Sequence, residues 1–475
     1  MFFKFLTFFS LIFSTFSSSP HEVIIIGGGA SGIASFSQLS RNKTDVLLLE
    51  AESRIGGRIN SVKFGDNYVD LGGQWAHENA LKDPIYKLAK DLGLLERSNQ
   101  SPIRLLYSNR KEFPNIIKKF QQVIQEVYQF NDVRDGKSIA ELAKGVYSEL
   151  TEKISIPEDF PDLLEDMLEH LQHQIQSAEG ALDWNQPSAQ SDSIDGVNFD
   201  YNWKGNGYKT ILEILLGKSP YGSDDIDTKN KILLNKTVTK ISWDNSDDTI
   251  TIFCGDSTEY KSKKVIFTPS IGVLKSKMNE IFDPELPDYK KKAIKTLGIG
   301  AVVKVYLEFA EDWFNKHGKI GGFEFIWEKT MRKSLNTSWI TSLSAILSVE
   351  NNPNVLCVWF DGPKVPFIEN LSDYELTEGI QFALIQFLGY KFDVPRPIRM
   401  IRSKWYTNAN FLGTYSFQTV ESRKRLSHND LGEPLKNRNK RDVVFFAGEA
   451  TSPVHYGTVH GAIYTGFREA ENVNK

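Results

Sequence analysis

Short apolar runs closed by glycine or an acid recur along the chain. Val23-Ile24-Ile25-Ile26 runs into Gly27-Gly28-Gly29-Ala30-Ser31-Gly32, Val46-Leu47-Leu48-Leu49 into Glu50, and Val443-Val444-Phe445-Phe446-Ala447 into Gly448-Glu449. Runs of this kind read as strands buried on both faces, as in a parallel sheet. Lys264-Val265-Ile266-Phe267-Thr268-Pro269 reads as a further buried strand stopped by proline. Val238–Trp243 and Thr249–Phe253 read as hairpin strands around Asp244–Asp248. Helices are predicted over Asn115–Phe130, over Asp162–Gln176 and from about Val459, and a second set of strands over Ala301–Phe309 and Val355–Phe360. There is no internal repeat.

The segment from Glu22 to Arg58 gives the pattern a purpose. Strand, G-x-G-x-x-G turn, helix, second strand and terminal acid make a βαβ unit that holds a dinucleotide. Gly27 permits the tight turn, Gly29 lets backbone approach the pyrophosphate, and Gly32 lets the helix pack on the strand. The helix N-terminus offers unpaired N–H groups to the phosphates. Glu50 stands where it can accept hydrogen bonds from ribose hydroxyls, and an acid there disfavours a 2′-phosphate. Three patches, about residues 21–85, 225–285 and 430–475, return to this core. The intervening stretches 86–224 and 286–429 are expected to form a second, interwoven domain.

The 475 residues suffice for about three average domains or two large ones, and 40% hydrophobic with 24% charged residues is ordinary globular composition. A net charge of −4 gives no basic field for nucleic acid. Lys261–Lys264 and Lys290–Lys292 are short basic clusters, read as solvated faces. The first twenty residues differ: Lys4, an apolar run Phe5–Phe16, then Ser17-Ser18-Ser19-Pro20. They resemble a secretory signal peptide, too short to span a bilayer comfortably. The expectation is a secreted protein starting near Ser18–His21; an uncleaved signal anchor is the alternative. Sequons at Asn42, Asn99, Asn235, Asn336 and Asn370 gain meaning with that leader. Cys254 and Cys357 either pair or stay free.

Several segments together carry a resemblance: Gly27–Gly32 with Glu50; Gly56-Gly57-Arg58; Val69–His77; Phe267–Lys275; Lys304–Phe309; Gly413–Ser416; Phe446–Thr451 with His460-Gly461-Ala462. In this order they resemble the flavin-containing amine oxidase family, and within it the polyamine oxidase branch. The resemblance implies an α/β fold in which a Rossmann-type FAD-binding domain is interwoven with an α+β substrate-binding domain. It implies hydride transfer from the carbon beside an amine nitrogen to flavin, then oxygen as acceptor, yielding hydrogen peroxide and an aminoaldehyde. The implied partners are a polyamine and oxygen, with no metal, nucleic acid or membrane insertion.

The resemblance also distributes roles. Cofactor contacts fall on Gly27, Gly29, Ser31, Gly32, Glu50, Arg58, Gly73, Gln74, Trp75, Val238, Trp405, Glu449, Thr458 and Val459. The Arg58 guanidinium suits a diphosphate; Val238 would lie against adenine or serve as core; Trp405 lines the cavity or the core. Lys304, inside the apolar strand, is either on a solvent face or buried; in the family the matching lysine holds a water at the reactive flavin nitrogen. His77 either relays the amine's proton or is a hydrogen-bonded pocket histidine. Tyr415 is one wall of an aromatic cage and Thr458 stands at the opposite wall. Lys304, His77 and Tyr415 are the catalytic set, and His77, Glu78, Tyr415 and Thr458 the substrate contacts. Glu78 replaces the family's usual glycine: it binds a second ammonium or faces solvent. Asp195 and Asp200 are further candidates in the irregular stretch from Ala178 to Asn206. Thr414 replaces the cysteine that bonds flavin in monoamine oxidases, so non-covalent FAD is expected. An L-amino-acid oxidase would need an arginine just after Gly72-Gly73, where Gln74-Trp75-Ala76-His77 stands; that reading, another amine substrate, and a flavin protein that has lost catalysis are the alternatives.

Overall fold

The computed structural model describes residues 19–77, 84–98, 101, 103–108, 113–129, 136–152, 154–191, 200–222, 224–316, 318–335 and 338–475. The leader, the sequons at Asn99 and Asn336, and the candidates Glu78 and Asp195 lie outside these residues.

Two sheets organise the described chain. The first has nine strands and draws them from residues 21–49, 232–283 and 435–446. Its centre is a parallel ladder in which Ile232–Leu233, Val46–Leu49, His21–Ile26, Glu259–Phe267 and Asp442–Phe446 lie side by side. Ile24 and Ile25 are fully buried, as continuous apolar strands covered on both faces should be. The helix Ala30–Arg41 leaves the first strand and packs on the C-terminal helix Val459–Asn472. The two approach closely at Gly466, whose carbonyl accepts from Ser35 Oγ at 2.8 Å; a Cβ on Gly466 would sit 2.3 Å from Ser31 O. The hairpin forms as Val238–Ser242 against Ile250–Cys254.

The second sheet has six strands in the order Arg399–Arg402, Val303–Glu308, Val355–Phe360, Leu343–Ser348, Gly322–Ile326, Ile103–Tyr107, antiparallel except for the last pair. The helix Asp373–Leu388 seats Leu376, Ile380, Ala383, Leu384 and Phe387 in the same core as Val303, Val305 and Leu307. Each such burial is worth about 1.5–3 kcal/mol. The helix Leu163–Glu179 packs Met167, Leu171 and Ile175 with Tyr107 and Ile326 at the other edge.

Two sequence expectations resolve here. Cys254 lies in the first sheet and Cys357 in the second, both buried and unpaired. Lys290, read as part of a solvated basic face, is fully buried. Its ammonium donates to the carbonyls of Asp430, Leu431 and Glu433 at 3.0, 2.9 and 2.6 Å, and lies 4.1 Å from the centre of the Phe446 ring. These carbonyls close the short helix Ser427–Gly432, whose C-terminal end attracts a cation. Local sequence shows the lysine cluster but not the distant helix end that withdraws one member from water.

Candidate active site

A cavity of about 960 Å³ reaches from the first sheet to the second. At one end the chain turns sharply at Gly27, whose φ of 100° places it in the left-handed region. A Cβ on Gly32 would lie 1.9 Å from Gly27 O, so only glycine lets the helix start against the strand. A Cβ on Gly29 would meet nothing nearer than Gly57 Cα at 4.0 Å, leaving the backbone open to the cavity. Ser31 Oγ, buried in the first helical turn, has no hydrogen-bond partner among the described residues. An orphan hydroxyl beside free helix N–H groups fits a phosphate. Glu50 accepts from Gly28 N at 2.5 Å and Glu52 N at 2.7 Å, and burial raises its carboxyl above the usual range. Val238, Lys236 and Thr237 line the cavity beyond it. This donor set fits the adenosine diphosphate half of a dinucleotide.

Arg58 leads from this end towards the middle. Its Nη1 donates to Thr414 O at 2.6 Å and Glu449 Oε1 at 3.0 Å. Glu449 Oε2 accepts from Ser416 Oγ at 2.5 Å and Gly457 N at 2.8 Å. Burial alone would raise the Glu449 carboxyl, but Arg58 and these donors hold it below its usual value. Thr458 lines the cavity as the N-cap of Val459–Asn472; it accepts from Gly461 N and donates to His455 O, which commits its hydrogen to the chain. Val459 also lines the cavity, and its Cγ2 would lie 2.8 Å from a Cβ on Gly73.

At the far end Lys304 is buried on Val303–Glu308 and lines the cavity, which decides between its two sequence readings. Its Nζ donates to Gln74 Oε1 at 2.7 Å, Gly72 O at 2.8 Å and Asp70 O at 3.3 Å. It also lies 4.7 Å from the Trp359 ring centre and 5.6 Å from that of Trp75; the two indoles stack at 6.1 Å. Burial pushes the ammonium down to about 8, against the opposing pull of Asp70, and pushes Asp70 up to about 6. Trp405 is buried, lines the cavity and donates from Nε1 to Leu71 O at 2.9 Å.

Tyr415 faces the same space, its hydroxyl donating to Ser177 O at 2.8 Å. Gly180 seats its ring: φ is 63°, and a Cβ would come within 2.4 Å of the ring. Beside it Glu179 ends the helix Leu163–Glu179 and lines the cavity, and enclosure pushes its carboxyl up to about 7 against a hydrogen bond from Tyr128. His77 lines the cavity with Nδ1 2.8 Å from Asp200 Oδ1. Thus Gly27, Gly29, Ser31, Glu50, Arg58, Gly73, Gln74, Trp75, His77, Val238, Lys304, Trp405, Tyr415, Glu449, Thr458 and Val459 all line one cavity, while Gly32 shapes it from behind. Sequence reasoning missed Glu179, Gly180 and Trp359. A glycine after a helical run marks a helix end, but nothing local says that Tyr415 lies on it.

A dinucleotide cradle that shares one cavity with a buried lysine beside two stacked indoles suits a dinucleotide-dependent oxidoreductase. The chain belongs to the flavin containing amine oxidoreductase family, whose model matches residues 30–474, and it is an FAD-dependent amine oxidase. It is 26% identical to the probable polyamine oxidase 5 of Arabidopsis thaliana, covering 96% of this chain and 98% of that one. It is 24% identical to the peroxisomal N(1)-acetyl-spermine/spermidine oxidase of Homo sapiens, covering 95% and 94%. A solved structure of putrescine oxidase redesigned in its cofactor binding superposes with a TM-score of 0.67 at 18% identity, covering 96% of this chain and 99% of that one. That likeness shows the shared fold. Among the described residues no helix is long and apolar enough to cross a membrane.

Proposed function

We propose that the protein oxidises a polyamine, with oxygen as acceptor and water hydrolysing the imine, to an aminoaldehyde, a smaller amine and hydrogen peroxide. The observation that carries this reading is the carboxylate Glu179 in the cavity that also holds Lys304 and Tyr415. A monoamine has no further ammonium to set against it; a polyamine has one. FAD, when bound, supplies the hydride acceptor and passes the electrons to oxygen. The chain's residues do the rest. Ser31, the helix N-terminus and Arg58 would hold the diphosphate, and Thr414 in place of a cysteine would leave the cofactor non-covalent. His77 takes the proton that the reacting ammonium must lose. Tyr415, Trp75 and Trp359 form apolar walls that exclude water and suit a cation on its way in. Lys304, buried and lining the cavity, would hold a water at the reaction centre.

An amino-acid substrate is disfavoured on a specific ground. Arg58 is the one arginine among the described residues lining the cavity, and Glu449 already pairs with it. We further propose secretion, on the leader; Asn42, Asn235 and Asn370 are exposed and would be glycan acceptors. A peroxide-release screen of the flavin-loaded protein against spermine, spermidine, their acetyl forms, monoamines and L-amino acids tests the substrate. Turnover of polyamines is expected; turnover of amino acids alone would overturn the proposal. Mass spectrometry of extracellular protein tests the leader, with an N-terminus near Ser18–His21 expected and an intact one on cytosolic protein contradicting it.

A further inference from the structure

We infer that Asp200 is the positioning residue for His77, holding the imidazole as the Nδ1–H tautomer so that Nε2 meets the substrate amine. The inference rests on reading the cavity as an amine site.

The pair is a product of the fold. Ala76–His77 and Asp200–Asn202 form an antiparallel ladder in which His77 stands directly opposite Asp200. Side chains at such positions share one face of the ladder and meet. Asp200 is fixed from the other side as well, since its carbonyl accepts from Ser98 N at 2.8 Å and its strand also pairs with Glu96–Arg97. His77 lines the cavity and Asp200 does not, so the carboxylate stands behind the ring. Its Oδ1 lies 2.8 Å from Nδ1.

The chemistry of the pair fixes the proton. An ionised carboxylate only accepts hydrogen bonds, so Nδ1 must carry hydrogen. The neutral imidazole then has its lone pair on Nε2, the nitrogen that is left for the cavity. That nitrogen accepts a proton from a cationic amine, becomes imidazolium, and is stabilised there by the charge on Asp200. The other ring against His77 is His460, edge-on with centres 6.4 Å apart, itself 5.0 Å from His455. His460 belongs to the helix Val459–Asn472 and carries no negative charge, so it does not replace the carboxylate.

The experiment reads the tautomer and the chemistry separately. In holoenzyme labelled with ¹⁵N-histidine, with His77→Gln supplying the assignment, wild-type His77 is expected as Nδ1–H. Asp200→Asn can turn its amide N–H₂ to Nδ1 and is expected to populate the Nε2–H form. Flavin reduction by spermine, or by the amine the wild type turns over fastest, should then slow by about 10–100-fold, part of a general base's usual contribution, with little change in KM. Asp200→Glu, which keeps a carboxylate, should recover the wild-type tautomer and part of the rate. A wild-type Nε2–H tautomer, or an Asp200→Asn variant with wild-type tautomer and reduction rate, would overturn the inference. The nitrogen shifts need no substrate, so a protein that oxidises no polyamine yet shows Nδ1–H at His77 refutes the substrate proposal and not this one.

Discussion

The two ends of the cavity are built by different means. Around Gly27–Gly32 the backbone does the binding: a glycine turn, free helix N–H groups and a single acid, all supplied by one contiguous βαβ unit. Around Lys304 the wall is made of side chains from Gln74–His77, Ser177–Glu179, Trp359, Trp405 and Tyr415, which come from segments far apart in the chain. A backbone cradle is set by conformation, and at Gly27 and Gly32 it has no room for a side chain. A side-chain wall is set by chemistry and yields by degrees when one member changes. Substitutions at the two ends should therefore fail differently.

The largest effect belongs to the backbone end. Gly32→Val places a Cβ 1.9 Å from Gly27 O, and no rotamer relieves it. The variant should purify without flavin, measured as loss of visible absorbance relative to protein; full flavin retention would show that the turn adapts. Lys304→Met comes next. It keeps the apolar stem and removes the ammonium, so packing changes little while turnover drops by roughly one to three orders of magnitude. Rapid mixing assigns the loss to flavin reduction or reoxidation; wild-type values for both would make Lys304 structural.

The wall should yield more gently elsewhere. Glu179→Gln should raise KM for spermine by about tenfold, roughly the worth of one hydrogen-bonded charge, and leave a short monoamine unaffected. In the wild type, KM should fall as pH rises through about 7, where Glu179 gains its charge. The same shift has a stability sign. Between the ordinary 4.5 and about 7 the folded chain holds a proton that the unfolded chain releases. Glu179 therefore lowers the stability of the substrate-free protein as pH climbs through that window. Thermal melts from pH 5 to 8 should show that slope reduced in the Gln variant. Smallest is Gly180→Ala, which combines a φ of 63° with a Cβ 2.4 Å from the Tyr415 ring. The expected cost is about 1–2 kcal/mol, read as a lower melting temperature with flavin retained.

The same contrast explains what the sequence revealed. The first sheet was legible because its strands are continuous apolar runs with glycine and acid punctuation, and Gly27, Gly32 and Glu50 sit as their spacing requires. Much of the second sheet was not. Gly322–Ile326, Leu343–Ser348 and Ile103–Tyr107 interleave polar residues, and Ile103–Tyr107 pairs with a partner over 200 positions away. Lys304 could not be assigned to core or surface from alternation, because its burial depends on carbonyls of Asp70 and Gly72 brought from another segment. Lys290 was misread for the same reason. Asp200 stood among the candidates, but its role depends on a strand register that local pattern does not encode.

The central claim is that the Lys304 end of the cavity takes a long polycation and delivers its hydride to flavin. Anaerobic mixing of the holoenzyme with spermine, butylamine or an L-amino acid, followed at the flavin absorbance band, tests it directly. Rapid bleaching by spermine, and slow or no bleaching by the other two, is the predicted result. Bleaching by the amino acid with none by spermine would contradict it.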